Sequence, residues 1–253
     1  VHISVIIPTY NESDSIQKTV NQLVINVQQT IEIIISDSPN SVDNMEAISF
    51  PERVRVIKSK TPGRAAQMNE AANMATGDVL YFVHADTFVH PDFEADIESM
   101  IAKGLDMGCY RYRFDKYFTP LLYINSFFTR FNKIWCRGGD QTLFIKKEVF
   151  EELGKFREDY KIMEDYEILL RAEGKYRFGI IPKDVIVSSR KYKLNGYLKV
   201  QLANLKVMRM FLKGTDSQDV MAETYRRLLK MTYDQTKVNS TPKSNRKIFR
   251  RNT

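Results

Sequence analysis

The feature that most constrains the fold is the recurrence, within the first ninety residues, of four short apolar runs separated by stretches of helical periodicity. Ile3–Ile7, Glu32–Ser36, Val54–Ile57 and Val79–Val83 are dominated by Val and Ile, and the second and fourth are nearly continuous. A strand with one face in water alternates between apolar and polar residues. A strand buried on both faces does not, and burial on both faces is the condition of a parallel sheet covered by helices on either side. Between the first two runs Ile16, Val20, Leu23, Val24 and Val27 recur at helical spacing, after the cap-forming cluster Asn11-Glu12-Ser13-Asp14. After Pro62-Gly63 the segment Arg64–Ala75 puts Ala65, Met68, Ala71, Ala72 and Ala75 on one helical face. The pattern predicts a doubly wound α/β half, with Pro8 ending the first strand.

The second half is mixed. Met107–Phe114 alternates, with Tyr110, Tyr112 and Phe114 on one face and Cys109, Arg111 and Arg113 on the other. A helix from Pro120 through Ile134, a strand over Thr142–Ile145 and a helix over Glu164–Ala172 are expected next. Short strands follow near Phe178–Ile181 and Val185–Val187, then two helices beyond Asn195-Gly196 to about Tyr233, broken at Gly214-Thr215-Asp216. The segment Tyr117–Trp135 is too apolar for a single buried stripe. The favoured reading is a core helix between the sheet and the C-terminal helices. The competing one is a lipid-facing surface, assisted by Tyr197–Leu212 and a basic C-terminal end.

Composition narrows the classes. An apolar fraction of 43% with 27% charged residues in 253 residues is that of a globular protein, not a disordered or collagen-like chain. No stretch approaches the ~18 uninterrupted apolar residues of a membrane-spanning helix, and a chain that begins directly on a buried strand is expected to carry no signal peptide. Two cysteines and three histidines make neither a disulfide framework nor a zinc cluster, which predicts a reducing, cytoplasmic setting. Of the net charge of +7, six positive charges without an acid lie beyond Thr236, leaving the first 235 residues at +1. The basicity therefore belongs to a tail expected to be disordered, and no nucleic-acid partner is expected for the near-neutral body.

The polar residues of the first half gather at one place. In open α/β sheets ligands bind outside the carboxyl ends of the strands. The first strand runs into Thr9-Tyr10-Asn11-Glu12, the second into Asp37 and the fourth into His84-Ala85-Asp86-Thr87, while Gly63-Arg64 opens a helix between the third and fourth. Each cluster alone fits a turn or a cap. Four on one edge mark a site. Asp86, presented at the end of an apolar strand, suits a divalent ion that takes its remaining ligands from phosphates and water.

These residues also carry a resemblance. Pro8-Thr9-Tyr10-Asn11-Glu12, Asp37, Gly63-Arg64-Ala65-Ala66-Gln67-Met68-Asn69 and Gly77-Asp78…His84-Ala85-Asp86-Thr87 resemble family 2 glycosyltransferases of the GT-A fold. The similarity continues through Gly138-Gly139-Asp140-Gln141 and Met163-Glu164-Asp165-Tyr166-Glu167 to Ser188-Ser189-Arg190-Lys191-Tyr192. The GRAAQMN and HADT forms resemble a bacterial subgroup described as radical-SAM/selenodomain-associated transferases.

The resemblance implies a nucleotide-diphosphate-sugar donor, most simply a UDP-sugar, and inversion at the anomeric carbon. It implies that Thr9, Tyr10, Glu12 and Asp37 hold the nucleoside and that Gly63, Arg64, Asn69, His84, Ala85 and Arg190 belong to the donor site. It further implies that Asp86 binds Mn²⁺ or Mg²⁺ at the diphosphate and that Asp165, with Glu164 as the alternative, is the base. Asp140 and Gln141 are expected on the acceptor side. Two positions depart from the family pattern: His84 replaces the first Asp of the metal motif, and the loop after the second strand reads Asp37-Ser38-Pro39-Asn40-Ser41.

The division expected from these readings is a transferase domain over 1–194 (nucleotide half 1–90, acceptor half 91–194), a helical extension over 195–235 and a basic tail over 236–253. Localisation is expected to be cytoplasmic, extending to weak peripheral contact with the inner face of the membrane if the acceptor is lipid-linked. Two other function classes stay open: a nucleotidyltransferase, which would need a Gly-rich phosphate loop where Thr9-Tyr10-Asn11-Glu12 stands, and a non-catalytic nucleotide-sugar binder.

Overall fold

The computed structural model describes residues 1–25, 31–214 and 216–229; the basic tail read from the sequence lies outside the described residues. In chain order the elements are β1 (Ile3–Thr9), α1 (Ser13–Ile25), β2 (Glu32–Asp37), β3 (Val54–Lys58), α2 (Arg64–Met74), β4 (Val79–Phe82), α3 (Phe93–Ala102) and β5 (Met107–Phe114). There follow α4 (Pro120–Phe128), β6 (Leu143–Lys146), α5 (Lys147–Glu152), α6 (Glu164–Ala172), β7 (Phe178–Val187), α7 (Arg190–Asn195), α8 (Tyr197–Lys213) and α9 (Gln218–Leu228). The strands form one seven-stranded sheet in the order β3-β2-β1-β4-β6-β5-β7. Its first four neighbours are parallel, β6 runs antiparallel to β4 and β5, and β7 is parallel to β5.

The uniform strands of the first half are explained by what covers them. Val5, Ile7, Ile33, Ile35 and Tyr81 face α1 and α3, packing with Ile16, Val20, Phe93 and Ile97. Ile6, Ile34, Leu80 and Phe82 face the other way, against Ala65, Met68 and Ala72 of α2 and Val149, Phe150 and Ile168 of α5 and α6. Successive residues thus enter opposite cores, and neither parity is free to be polar. The nucleotide and acceptor halves share this sheet through the β4–β6 pairing.

Several sequence expectations are corrected. β1 passes through Pro8 to Thr9. Val83 donates its N–H to the Ile6 carbonyl, so the even residues of β1 turn their backbone towards β4. The N–H that Pro8 lacks would point past Phe82, where β4 has already ended. The helix from Pro120 stops at Phe128, six residues short of the expected Ile134. Arg137 donates to the carbonyls of Thr129 and Phe131, and Gln141 Nε2 to that of Thr129 at 3.2 Å. Those side chains take carbonyls that a continuing helix would have used. The two short strands expected after Phe178 are one strand, with a register shift between Tyr110 and Arg111 that leaves Pro182 and Lys183 unmatched. The helix α7 was not expected.

The largest correction concerns Tyr117–Trp135. It is not a core helix: Leu122 is the buried residue of α4, while Tyr123, Ile124, Phe127, Phe128 and Trp135 stand 49–68% exposed. Among the described residues no helix is long and apolar enough to cross a membrane.

Candidate active site

The order of strands makes the site. The chain travels outward from β1 to β3 and then returns to the other side of β1 as β4. The carboxyl ends of β1 and β4 are therefore left flanking a crevice that no crossover fills. A cleft of about 620 Å³ opens beside the end of β4, lined among others by Arg64, His84, Asp86, Asp140, Asp165 and Arg190. Six of the residues expected from sequence meet in it, although they come from both halves of the chain.

At the β1–β2 end two of the expected nucleoside residues, Thr9 and Asp37, are hydrogen-bonded to each other. Thr9 Oγ1 donates to Asp37 Oδ1 at 2.9 Å and Lys58 Nζ to Asp37 Oδ2 at 2.7 Å, with Asp37 1% exposed. Gln67 Nε2 donates to the carbonyls of both Thr9 (2.8 Å) and Ser36 (2.6 Å), tying α2 to the two strand ends. Asn11 adopts a left-handed φ of 55° and its Oδ1 accepts from Val42 N at 2.8 Å, which turns the chain away from β1 and leaves Tyr10 exposed on the rim. Glu12 is buried. Ala85 is buried under α1, where Thr19 Oγ1 donates to its carbonyl at 2.7 Å, while its neighbours His84 and Asp86 line the cleft.

Gly63 caps α2 with φ 127°, a conformation that favours glycine, and Arg64 follows it into the cleft. Two of its guanidinium nitrogens have protein partners. Its Nε donates to Glu164 Oε1 and its Nη1 lies 3.2 Å from His84 Nε2. Burial opposes its charge, but Glu164, Asp165 and Asp140 outweigh burial and hold it protonated. For His84 the balance goes the other way: burial and Arg64 push its pKa down to about 4, leaving a neutral ring between Arg64 and Asp140. With Nε2 accepting from Arg64, the imidazole proton sits on Nδ1, 3.7 Å from Asp140 Oδ1.

The two adjacent carboxylates of α6 separate. Glu164 is 1% exposed, paired with Arg64 and not among the side chains that line the cleft. Asp165 lines the cleft. Burial and the neighbouring Glu164 raise its pKa to about 6, against the opposing pull of Arg64 and the Tyr166 N–H, which donates to Oδ1 at 3.0 Å. Gly139 makes room for this arrangement, since a Cβ there would lie 2.8 Å from His84 Nε2 and 3.1 Å from Asp165 Oδ2.

Thr9, Tyr10, Glu12, Asp37, Gly63, Ala85 and Glu164 are not among the residues lining the cleft, and neither are Asn69 and Gln141. The Asn69 amide bridges to the backbone of Phe156, donating to its carbonyl at 2.8 Å and accepting from its N–H at 3.1 Å. Gln141 is buried beneath the site and donates to the Tyr110 carbonyl at 3.1 Å. Both anchor loops. Conversely, Lys191 was missed. Burial works against its charge, yet Asp140 facing it keeps it protonated, and the same lysine lowers the pKa of Asp140 despite burial. Its signal in the sequence is a lysine within the Ser188–Tyr192 motif, directly after Arg190.

Asp86 lines the cleft just beyond the end of β4. Burial, then Asp140 and Glu12, push its carboxyl up to about 6, against Arg190. Arg190 Nη2 reaches both Glu12 Oε1 (3.7 Å) and Asp86 Oδ2 (3.8 Å). The corner thus carries more negative charge than its protein cations offset. Among the described residues no three His, Cys, Asp or Glu side chains converge as a cage for an ion, and His84 is engaged with Arg64 and Asp140. What remains is a single under-compensated carboxylate at an open edge. That donor set fits a hard divalent cation whose other ligands are phosphate and water oxygens.

Comparison with known proteins agrees with this geometry. An uncharacterized glycosyltransferase of Haemophilus influenzae is 28% identical over 189 residues, covering 67% of this chain and 61% of that protein, so the chain spans about three fifths of that curated relative. S. aureus TarS in complex with UDP-GlcNAc superposes with a TM-score of 0.62 at 17% identity, over 90% of this chain and 71% of that one. The mannosyltransferase PcManGT of Pyrobaculum calidifontis, in complex with GDP-Man and Mn²⁺, gives 0.63 at 20% identity, over 88% and 69%. The shared architecture is the GT-A fold, as the sequence led one to expect. The family model described as "Glycosyl transferase family 2" matches residues 4–157, which carry both strand ends of the crevice and the Asp86 and Asp140 loops, and the chain belongs to that family.

Proposed function

We propose that the protein is an inverting glycosyltransferase that moves a sugar from a nucleotide-diphosphate donor to an acceptor hydroxyl, with Asp165 as base and a divalent metal held by Asp86. The observation that carries this reading is that one cleft presents two carboxylates with raised pKa values at different stations, Asp86 beside Arg190 and Asp165 beside Gly139. Donor binding is supported by neighbours of the same fold solved with UDP-GlcNAc and with GDP-Man. The GRAAQMN and HADT motifs support the radical-SAM/selenodomain-associated subgroup.

In this reading the acceptor oxygen attacks the anomeric carbon from the side opposite the diphosphate. The new C–O bond forms as the sugar–phosphate C–O bond breaks. The electron pair leaves with the nucleoside diphosphate, and the hydroxyl proton passes to Asp165. A carboxylate with a pKa near 6 is ionised at neutral pH and still basic enough to take that proton. Arg190 offers its guanidinium to the departing phosphate charge, and a Mn²⁺ or Mg²⁺ ion on Asp86 would supply further electrostatic stabilisation there. Arg64, Glu164 and His84 act behind these groups, fixing the floor on which Asp165 sits. Thr9, Tyr10, Glu12 and Asp37 remain the assignment for the nucleoside end, and Asp140 with Lys191 for the acceptor end.

A thermal-shift series with UDP- and GDP-sugars, with and without Mn²⁺, tests the donor site. Stabilisation is expected with one nucleotide class, dependent on metal and abolished in Asp86→Ala. A folded protein that responds to no nucleotide sugar would overturn the reading.

A further inference from the structure

The mouth of the cleft has a rim that the proposed chemistry does not use. Phe128 and Trp135 on one side and Leu194 and Leu205 on the other line the cleft, yet all four are exposed, Trp135 at 68% and Leu205 at 47%. The apolar surface continues outward on both sides. Along α8, Leu198, Leu202, Leu205 and Leu212 recur at helical spacing on the face opposite Val200, Ala203 and Val207, which are buried. Along α4, Tyr123, Ile124 and Phe127 are exposed while Leu122 holds the helix to the core. Exposed apolar side chains gathered on two segments that both border one cleft mouth mark an interaction site.

The charge around the rim identifies the partner. The segments 116–139 and 188–214 contain eleven Lys and Arg residues and no Asp or Glu. Arg130, Lys133, Lys199, Lys206, Arg209 and Lys213 among them are exposed. A second copy related by a two-fold axis would set this basic rim against itself. An anionic bilayer instead attracts the bases to its headgroups and takes Leu, Phe and Trp side chains below them.

We propose that this face docks on an anionic membrane surface, with the mouth of the cleft opening onto the bilayer. The acceptor is then a hydroxyl-bearing group carried on a lipid. That consequence rests on the transferase reading, whereas the docking itself does not.

The chain's one tryptophan, Trp135, lies on the rim and reports the orientation. The full chain is floated with phosphatidylcholine vesicles, with and without phosphatidylglycerol, at low salt. Co-flotation is expected with the anionic vesicles and weakens as salt is raised. Tryptophan emission is expected to shift to the blue with those vesicles and to be quenched by lipids brominated in the acyl chain. The double variant Leu198→Glu/Leu202→Glu, which alters exposed positions of α8 and keeps every basic residue, should lose membrane partition by roughly tenfold or more, with its melting temperature unchanged. Protein that stays in the soluble fraction overturns the proposal, as does flotation without any change in Trp135. So does a wild-type dimer that the double variant converts to monomer, because the occupant would then be a second copy. Donor-dependent thermal shifts on the same preparations separate the two readings: their absence alongside intact flotation strikes the transferase chemistry and leaves the docking supported.

Discussion

At the start of α6 two adjacent carboxylates meet different surroundings. Glu164 is sealed against Arg64, and Asp165 faces the cleft with its pKa raised to about 6. In Asp165→Asn, transfer should fall by roughly 10²–10⁴-fold, the usual contribution of a positioned base, while the metal-dependent donor shift persists. The same substitution should raise the melting temperature above pH 6. A carboxyl whose folded pKa lies above its unfolded value stabilises the fold only while protonated, so its contribution is lost as pH rises from about 4 through about 6. Asparagine cannot ionise and escapes that loss, and melts at pH 4 should show no such gain. The wild-type rate should rise towards a plateau above about pH 6, as Asp165 becomes able to accept a proton. In Gly139→Ala the added methyl meets His84 and Asp165, and catalysis should drop with little change in melting temperature, read from paired kinetics and calorimetry.

At the scale of elements the site depends on side chains that end or tether secondary structure. Arg137 is 7% exposed and holds the carbonyls after α4, while the Tyr166 hydroxyl donates to the Arg137 carbonyl. Replacing Arg137 by Met should free the 129–137 segment, seen as faster amide hydrogen exchange there and in the Gly139–Gln141 turn, with β1 and β2 unaffected. The Arg64–Glu164 pair ties the start of α2 to the start of α6, a hundred residues on in the chain. Arg64→Met would leave Glu164 buried without its counter-charge, at a cost of about 2–4 kcal/mol in denaturant melts. That lies below the full value for a buried pair, because the Arg64 side chain is 38% exposed.

At the scale of the whole molecule, one sheet binds the halves and the C-terminal helices close the core above it. Val200, Ala203 and Val207 of α8 are buried, with Val200 and Ala203 packed in the cluster that contains Tyr192 and Phe114. The helical extension drawn at residue 195 is therefore no detachable appendage. A chain ended at Asn195 should lose roughly 3–6 kcal/mol from the two valines alone, and a marked fall in thermal midpoint would register it. The same helix presents its leucine stripe outward, so one element both completes the core and borders the cleft mouth.

The strands, the helix faces of α1 and α2, the limits of α6 and the edge on which Asp86 and Arg64 fall were legible in the chain itself. Periodicity records how many faces of an element are buried, and a parallel sheet puts its carboxyl ends on one rim whatever the details. Tertiary structure alone decided the rest. Whether Asn69 and Gln141 serve a ligand or a loop depends on what lies 87 and 31 residues away, respectively. The different surroundings of Glu164 and Asp165 turn on where Arg64 arrives, and the exposure of α4 on which helices fail to cover it. An apolar side chain has the same composition whether it faces a core or open surface, and a carboxylate the same letter whether paired or free. Local sequence specifies an element's own preferences, whereas partners and solvent are assigned only when distant segments meet.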